Sequence, residues 1–183
     1  MESDLELALE LAAIADGITM ARYLAQDLVI TTKPDNTPVT DADKATEEAL
    51  RKHLAVARPA DGLVGEEFGS QHQDATRYWV MDPIDGTKNF MRGVPTWATL
   101  IGLVERQDDG SEKVIVGAVS APALNRRWYA STGKGAFTTL NNGTPRKIAV
   151  SKVSKIADAS IAYSDFQGWG DRLSKFHKLM ADC

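Results

Sequence analysis

The sequence predicts an α+β fold in which N-terminal helices are layered on a mainly antiparallel sheet. Three observations lead to this class: two helical patterns open the chain, short apolar segments separated by turn signals follow, and an amphipathic pattern comes last. Helices and strands that are segregated along a chain are typical of such layered folds. No internal repeat and no linker-like composition divides the 183 residues, so we expect one domain over 1–183.

A capping box predicts the start of the first helix. Ser3 is followed three residues later by Glu6, a spacing that lets the two side chains satisfy free N–H groups in the first helical turn. The segment 31–39 is polar, contains two prolines and shows no period, so it is predicted to be a loop. Between these features, apolar residues recur at helical spacing: Leu7, Leu11, Ile14, Ile18 and Ala25.

The same signal opens the second helix. Thr40 is followed by Asp43, and the helical pattern stops before Pro59, because proline disfavours a helical residue in front of it. Two oppositely charged pairs at i,i+4 spacing are expected to stabilise this helix: Glu47–Arg51 and Glu48–Lys52. A last helix is predicted over 172–181. Short apolar segments bounded by turn residues predict strands over 63–64, 78–81, 97–104, 114–120, 127–130, 147–150 and 158–163.

The composition excludes several classes of protein. With 43% hydrophobic residues the chain is an ordinary globular protein, and its formal charge of −4 argues against a nucleic-acid partner. No apolar run approaches the roughly 18 residues of a membrane helix, and the acidic first residues do not form a secretory signal. The single cysteine, Cys183, excludes an internal disulfide and fits a reducing compartment. We therefore expect a cytoplasmic protein with neither nucleic-acid nor membrane partners.

Two carboxylates follow the strand predicted over 78–81. Asp82 lies at its carboxyl end, Pro83 forces a turn because its fixed φ and missing N–H cannot continue a sheet, and Asp85 comes directly afterwards. This turn brings both carboxylates and the carbonyl of Ile84 towards one point. Oxygen ligands without histidine or cysteine select a hard cation such as Mg²⁺.

A phosphate site is expected beside these carboxylates. Gly86 permits a close approach of the backbone, and the N–H groups of Gly86 and Thr87, at the start of a short helix, would bind a phosphate. Glu66 and Glu67 follow a neighbouring strand, where a third carboxylate would reach the same metals. Four acids at strand ends indicate metal-assisted phosphoryl chemistry, in which two cations roughly 3.5–4 Å apart activate a water and stabilise the leaving oxygen.

These motifs resemble those of the inositol-monophosphatase family of Mg²⁺-dependent phosphatases. The match over the six residues 82–87 alone has a chance expectation of about 10⁻⁶ in a chain of this size. Further segments, 33–43, 88–95 and 119–124, resemble the actinobacterial histidinol-phosphate phosphatase branch of that family. The family motifs are Asp82-Pro83-Ile84-Asp85-Gly86-Thr87, Glu66-Glu67 and Thr40-Asp41-Ala42-Asp43.

The resemblance implies a reaction and a set of metal ligands. The reaction would be the hydrolysis of a small phosphorylated substrate, histidinol phosphate in that branch, with inositol 1-phosphate as the nearest alternative. Two or three Mg²⁺ ions would bind in each site of a homodimer. Glu66 would hold the first and third ions, Asp82 would bridge the first and second, the Ile84 carbonyl would complete the first site, and Asp85 would bind the second.

The resemblance also implies roles in catalysis. Thr87, hydrogen-bonded to Asp43, would orient the nucleophilic water, and Glu67 would support a metal-bound water. The amides of Gly86 and Thr87 would hold the phosphate. The loop 33–37 lies where the family has a mobile flap near the metals.

One departure from the family pattern bears on completeness. The family has a Trp-Asp pair near its C-terminus whose Asp is another metal ligand, whereas Trp169 is followed here by Gly170. The family's domain also continues beyond residue 183, and the last helical pattern runs to the end of the sequence. We therefore expect the chain to be C-terminally incomplete. The alternative from another class is a non-catalytic metal- and anion-binding protein.

A second mechanism competes with direct attack by water. In an aspartyl-phosphate phosphatase of the haloacid-dehalogenase type, Asp41 would be the nucleophile and Asp43 the acid/base. That mechanism needs a buried apolar strand before the first Asp, and here Pro38 and Thr40 precede it. Asp43 is also open to a purely structural explanation, as the third residue of a capped helix. Core packing is the expected role of the large aromatic side chains Trp79, Phe90, Trp97 and Trp128.

Overall fold

A computed structural model describes residues 3–163 and 169–182. The chain divides into two compact units, Met1–Ile148 and Ala149–Cys183, so the single domain expected over 1–183 stays a prediction. The helices of the larger unit are α1 (Asp4–Arg22), α2 (Asp41–Ala57) and the short α3 (Thr87–Met91). Its strands are β1 (Ile30–Thr32), β2 (Pro38–Thr40), β3 (Gly62–Gly65), β4 (Gly69–Gln71), β5 (Arg77–Asp85), β6 (Ala98–Arg106), β7 (Glu112–Ala121), β8 (Arg126–Ser131), β9 (Gly135–Leu140) and β10 (Arg146–Ile148).

Eight of these strands form one sheet in the order β10–β9–β8–β7–β6–β5–β3–β4. Neighbouring strands are antiparallel except β3 and β5, which are parallel. The strands β1 and β2 form a separate antiparallel hairpin. The predicted α+β class with a mainly antiparallel sheet is therefore confirmed.

Both predicted capping boxes are present. The side chain of Ser3 accepts from the backbone of Glu6 and the Glu6 carboxylate accepts from Ser3, and Thr40 and Asp43 form the same reciprocal pair. The first helix ends at Arg22, so the expectation that Ala25 belongs to it is wrong. The chain turns away at Leu24, where φ is +66° and the helix cannot continue.

The core lies between α1, α2 and one face of the sheet. Alternate residues of β5, β6 and β7 point into it, since successive side chains of a strand face opposite sides. A fully buried leucine contributes about 1.5–3 kcal/mol through removal of apolar surface from water. The large side chains that are completely buried there are Leu7, Leu11, Leu50, Trp79 and Leu103.

Two further expectations about elements are wrong, and two strands were not predicted. The segment 31–39 is not a plain loop, because its ends pair as β1 and β2 around a tight turn. No strand forms over 158–163, where the structure has the last residue of a 3₁₀ turn and then irregular chain. The strands β4 and β9 were not predicted. The strand β4 has only three residues, and β9 begins at Gly135 and contains small and hydroxyl side chains instead of an apolar run.

The smaller unit is described over 149–163 and 169–182. It contains 3₁₀ turns at Ile156–Asp158 and Gly170–Arg172 and the helix α4 (Leu173–Asp182), which confirms the helix predicted over 172–181. Phe176 is buried there against the ring of Trp169, stacked at 4.0 Å, and the edge of Tyr163 at 5.2 Å. Among the described residues, no helix has the length and apolarity needed to cross a membrane.

Candidate active site

The parallel pairing of β3 and β5 places their carboxyl ends side by side. Gly65, the last residue of β3, is the partner of Met81 in β5, so the residues that follow each strand meet at one edge of the sheet. Glu66 and Glu67 follow β3, and Asp82 follows Met81 along β5. The topology therefore brings together carboxylates that are 15 or more residues apart in sequence.

The chain bends within β5 instead of leaving the strand at Pro83. The strand continues to Asp85, with a shift of register between Asp82 and Asp85, so the expectation that Pro83 ends the strand is wrong. Proline is tolerated at such an irregularity because no ladder hydrogen bond is needed there. The Asp82 carboxylate accepts from the Ile84 N–H at 3.1 Å, and the Thr99 hydroxyl donates to the Pro83 carbonyl at 2.8 Å.

The backbone conformation at position 86 requires glycine. Its φ is +89°, in the left-handed region, and an added Cβ would lie 3.2 Å from the Thr96 carbonyl oxygen. It caps the short helix α3, as the sequence predicted. A small aromatic cluster fixes this turn, since the rings of Phe90 and Trp97 meet edge to face at 4.9 Å and Tyr23 lies within 5.5 Å of both.

Asp43 connects the start of α2 to this turn. It is almost fully buried, and its Oδ2 accepts from the N–H of Thr40 at 2.8 Å and from the Thr40 hydroxyl at 2.5 Å. Its other oxygen, Oδ1, lies 3.4 Å from the Thr87 hydroxyl, which also donates to the Ile84 carbonyl at 3.1 Å. Burial raises the pKa of Asp43, against the lowering effect of the Thr40 hydrogen bonds. The same carboxylate thus caps α2 and orients Thr87.

Lys33 binds both glutamates. Its ammonium lies 2.7 Å from a Glu66 oxygen and 2.8 Å from a Glu67 oxygen, and it reaches them from the β1–β2 hairpin. Burial would lower the pKa of Lys33, but the two carboxylates outweigh that effect and hold it above its usual value. The family resemblance places the loop 33–37 near the metals but implies no role for Lys33. The ammonium marks a position that accepts a cation.

The carboxylates around Lys33 repel one another. Burial, the adjoining Glu66 carboxyl and the charge of Asp85 raise the pKa of Asp82 to about 8. The pKa of Glu67 is raised too, first by burial and then, against the pull of Lys33, by the charges of Asp43 and Glu66. Such a cluster is stabilised by protons or by cations. Its donors are all oxygens, the set that suits a hard divalent ion, so these residues fit the Mg²⁺ that the sequence analysis expected.

The site is not arranged around a metal. Across residues 3–163 and 169–182, the acidic, histidine and cysteine side chains form no group of three that is placed to hold a metal ion. Glu66 and Glu67 converge on Lys33 instead, and Asp85 is exposed at the end of β5. If a divalent cation is to bind here, Lys33 has to leave and the carboxylates have to turn inward. The ligand roles stay predictions.

Glu47 supports the Glu66-Glu67 turn, a role that its i,i+4 pairing with Arg51 does not by itself indicate. It is completely buried, and its carboxylate accepts from the N–H groups of Glu67 at 2.7 Å and Phe68 at 3.1 Å. Arg51 neutralises it at 2.7 Å, as the i,i+4 spacing predicted. A Cβ on Gly65 would lie only 1.9 Å from a Glu47 oxygen. A glycine directly before the Glu66-Glu67 pair was the available sequence signal for this close approach.

Asp41 faces away from these groups. Its carboxylate forms an ion pair with Arg22 at 2.9 Å and accepts from the N–H of Val29 at 3.3 Å. An aspartate nucleophile has to be free to attack the phosphorus atom. The geometry therefore speaks against the aspartyl-phosphate mechanism, in which Asp41 attacks and Asp43 transfers the proton.

Comparisons with known proteins show the family to which the chain belongs. The model of the inositol monophosphatase family matches residues 1–178, and the chain belongs to that family, which is metal-dependent. The histidinol-phosphatase of Streptomyces coelicolor is 54% identical over 169 residues, which are 92% of this chain and 63% of the relative. The histidinol-phosphatase of Mycobacterium tuberculosis is 52% identical over 166 residues, 91% of this chain and 62% of the relative.

The fold agrees with a solved structure of the same family. An inositol monophosphatase from Zymomonas mobilis superposes with a TM-score of 0.78 at 33% identity, over 98% of this chain and 66% of that one. The chain spans less than two thirds of the length of the two curated relatives. The resemblance noted from the sequence motifs, including the histidinol-phosphatase branch, is therefore confirmed at the level of similarity.

Proposed function

We propose that this protein is a Mg²⁺-dependent phosphomonoesterase that hydrolyses histidinol phosphate to histidinol and inorganic phosphate in histidine biosynthesis. The observation that carries the proposal is the meeting of Asp43 and Thr87 with the mutually repelling carboxylates at the ends of β3 and β5. Similarity to two histidinol-phosphatases above 50% identity supports the choice of substrate.

The chain would supply the metal ligands from one edge of its sheet. Glu66, Asp82, the Ile84 carbonyl and Asp85 would hold two or three ions. When bound, Mg²⁺ would supply the positive charge that activates water and stabilises the leaving oxygen. The Ile84 carbonyl has a second lone pair available besides the one that accepts from Thr87. Lys33 would hold Glu66 and Glu67 in place until the cation arrives.

The hydroxyl of Thr87 would position the attacking water. Its proton is directed to Asp43 and the Ile84 carbonyl, so its oxygen lone pairs are left to accept from that water. Glu67 would accept a second hydrogen bond from it. The water oxygen would then form a bond to phosphorus as the bond from phosphorus to the ester oxygen breaks, and the departing alkoxide would take up the proton that the attacking water releases. Thr40 keeps Asp43 from rotating during these events.

The substrate's phosphate would bind at the turn between β5 and α3. Gly86 and Thr87 begin α3, where backbone N–H groups have no partner within the helix. A side chain at position 86 would be strained and would be crowded by Thr96. Glycine at this position therefore leaves the backbone of the turn accessible. These two amides would hold two phosphoryl oxygens in line with the water beside Thr87.

The substrate assignment is tested by phosphate release from histidinol phosphate at increasing Mg²⁺, with inositol 1-phosphate in parallel. We expect Mg²⁺-dependent turnover with a clear preference for histidinol phosphate. A preference for inositol 1-phosphate would overturn the substrate assignment and leave the proposed mechanism unchanged. Absence of turnover on both, in a protein shown to be folded by circular dichroism, would contradict the enzymatic proposal and favour a non-catalytic metal- and anion-binding protein.

The proposal extends to assembly and location. We propose a homodimer, as the family resemblance implies, in the cytoplasm, where the free thiol of Cys183 would stay reduced. Light scattering coupled to size exclusion tests the first point, with about twice the 19.9 kDa chain mass expected. A monomer at micromolar concentration would contradict it.

A further inference from the structure

A cavity of about 340 Å³ lies at the β8–β10 end of the sheet. Cross-strand pairs place its main side chains on one face, because Arg126 is opposite Leu140 and Thr138 is opposite Arg146. Thr138 is also opposite Trp128, two residues after Arg126 on the same strand. The cavity is lined by Arg126, Thr138, Leu140, Gly143, Thr144 and Arg146.

The cavity is basic and contains no carboxylate. Arg126 stacks on the ring of Trp128 at 4.8 Å, and its Nε donates to the Thr138 hydroxyl at 3.5 Å. Thr138 in turn donates to the Arg127 carbonyl at 2.9 Å, so the guanidinium of Arg126 is held from two sides. Within residues 3–163 and 169–182, neither Arg126 nor Arg146 forms an ion pair with an acidic side chain. Both guanidinium groups keep N–H donors for a ligand.

We propose that this cavity binds a phosphate group, either inorganic phosphate or a small phosphate monoester. A planar guanidinium group binds a tetrahedral oxyanion through two parallel N–H donors, and both Arg126 and Arg146 line this cavity. A phosphate carries close to two negative charges at neutral pH, which two arginines neutralise, whereas a carboxylate carries one. The exposed hydroxyl of Thr144 adds a further donor at the rim.

The cavity is separate from the candidate active site, although both lie along one register row. Thr138 stands four strands away from Asp82, which corresponds to about 19 Å at the usual strand spacing. The inference therefore does not rest on the proposed phosphatase activity. The row of successive cross-strand partners is Asp82, Leu100, Val119, Trp128, Thr138 and Arg146.

The test is a calorimetric titration of the 183-residue protein with inorganic phosphate in the presence of a chelator. Without divalent cations the carboxylates around Asp82 repel phosphate, so binding reports on the arginine cavity. We expect one phosphate per chain. Arg146→Gln should weaken binding about tenfold or more, because a hydrogen-bonded charge is lost. Arg126→Lys, which keeps the charge and loses the planar fork, should weaken it less.

The matched control is Lys113→Gln, which removes one positive charge from the exposed start of β7. Its phosphate affinity should equal that of the unaltered protein. The thermal unfolding of Arg146→Gln without phosphate should also be unchanged, since this exposed side chain forms no ion pair. A parallel titration with β-glycerophosphate identifies the preferred form, and binding of either one that depends on Arg146 supports the proposal.

Three results would overturn the inference. The first is an absence of heat of binding at millimolar phosphate. The second is an equal loss of phosphate affinity in Lys113→Gln and Arg146→Gln, which would show that the loss depends on the overall charge of the protein and not on the cavity. The third is binding of acetate as tight as that of phosphate, which would contradict the ligand class.

Discussion

The strand β5 joins two regions with opposite chemistry. At its start Trp79 is completely buried in the apolar core, and its indole N–H donates to Asp61 at 3.0 Å. Three residues later, burial and the neighbouring carboxylates of Glu66 and Asp85 raise the pKa of Asp82 to about 8. The first region is satisfied as it stands, whereas the second gains stability only from protons, from Lys33 or from added cations. The apolar core therefore stabilises a cluster whose charges act against folding.

The largest expected effect is on the free energy of unfolding, and it comes from Glu47, which connects the apolar core to the carboxylate cluster. Glu47→Ala leaves Arg51 buried without its partner and removes the acceptor of the Glu67 and Phe68 N–H groups. Loss of one member of a buried ion pair costs about 3–5 kcal/mol. We expect the free energy of unfolding, measured with urea, to fall by that amount.

The neighbouring helix pair provides the matched control. Glu48 is exposed and pairs with Lys52 at the same i,i+4 spacing and a similar distance of 2.7 Å. Glu48→Ala should change the free energy of unfolding by less than about 0.5 kcal/mol. Equal effects of Glu47→Ala and Glu48→Ala would contradict the supporting role of Glu47.

The second prediction concerns pH without metal. The pKa of Asp82 is about 8 in the folded protein and near 3.8 in the unfolded chain, so the folded state holds a proton that the unfolded state releases between these values. The resulting stability is complete below about pH 4 and is lost as pH rises towards 8, by at most about 1.4 kcal/mol per pH unit.

Urea unfolding in chelator between pH 5 and 8 measures this loss. Saturating Mg²⁺ should remove most of it, because the ion replaces the proton among the carboxylates. The variant Asp82→Asn should also show a flatter profile in chelator. A stability that rises with pH in the metal-free protein would contradict the account of this cluster.

The third prediction separates catalysis from folding. Thr87→Val removes the hydroxyl between Asp43 and the Ile84 carbonyl while keeping the side-chain shape. We expect phosphate release to fall about 100-fold, because the attacking water is no longer held in position. Thr87→Ser should retain most of the activity because the hydroxyl remains. Equal activity of the two variants would remove Thr87 from the mechanism.

The smallest expected effect concerns Lys33, whose ammonium occupies the position proposed for a cation beside Glu66 and Glu67. Lys33→Gln removes a competing charge and leaves Glu66 and Glu67 without compensation, so both changes favour metal binding. We expect the affinity for Mg²⁺, measured by calorimetry, to rise up to about tenfold. Lys52→Gln, which alters an exposed pair on α2, should leave it unchanged. Weaker metal binding by Lys33→Gln would contradict the proposed competition between Lys33 and Mg²⁺ for the same carboxylates.

The sequence predicted what depends on local signals. The capping boxes at Ser3 and Thr40, the end of α2 and the helical start after Gly86 are set by neighbours within a few residues. Core packing was expected for four large aromatic side chains. It is confirmed for Trp79, Phe90 and Trp97. It is wrong for Trp128, which is only half-buried because Arg126 and not the apolar core stacks on its ring. In the short strands β4 and β9, pairing partners supply the order that the residues themselves do not indicate.

Contacts between distant segments were harder to predict. The i,i+4 spacing identified the pair Glu47–Arg51 but not that it is buried beneath the Glu66-Glu67 turn, because burial depends on how α2 packs against β3. In the same way nothing local indicates that Lys33 reaches across from the hairpin. The ligand roles of Glu66, Asp82, Ile84 and Asp85 stay predictions that only metal binding tests.

The central claim is that the carboxylates at the ends of β3 and β5 hold the cation that drives phosphate release. The most direct test compares Asp85→Asn with the unaltered protein on histidinol phosphate across a Mg²⁺ titration, with Asp109→Asn in the β6–β7 turn as a control. We predict Mg²⁺-dependent release in the unaltered protein and the control, and a fall of about 100-fold or more in Asp85→Asn. A rate like that of the unaltered protein at saturating Mg²⁺ would contradict the claim.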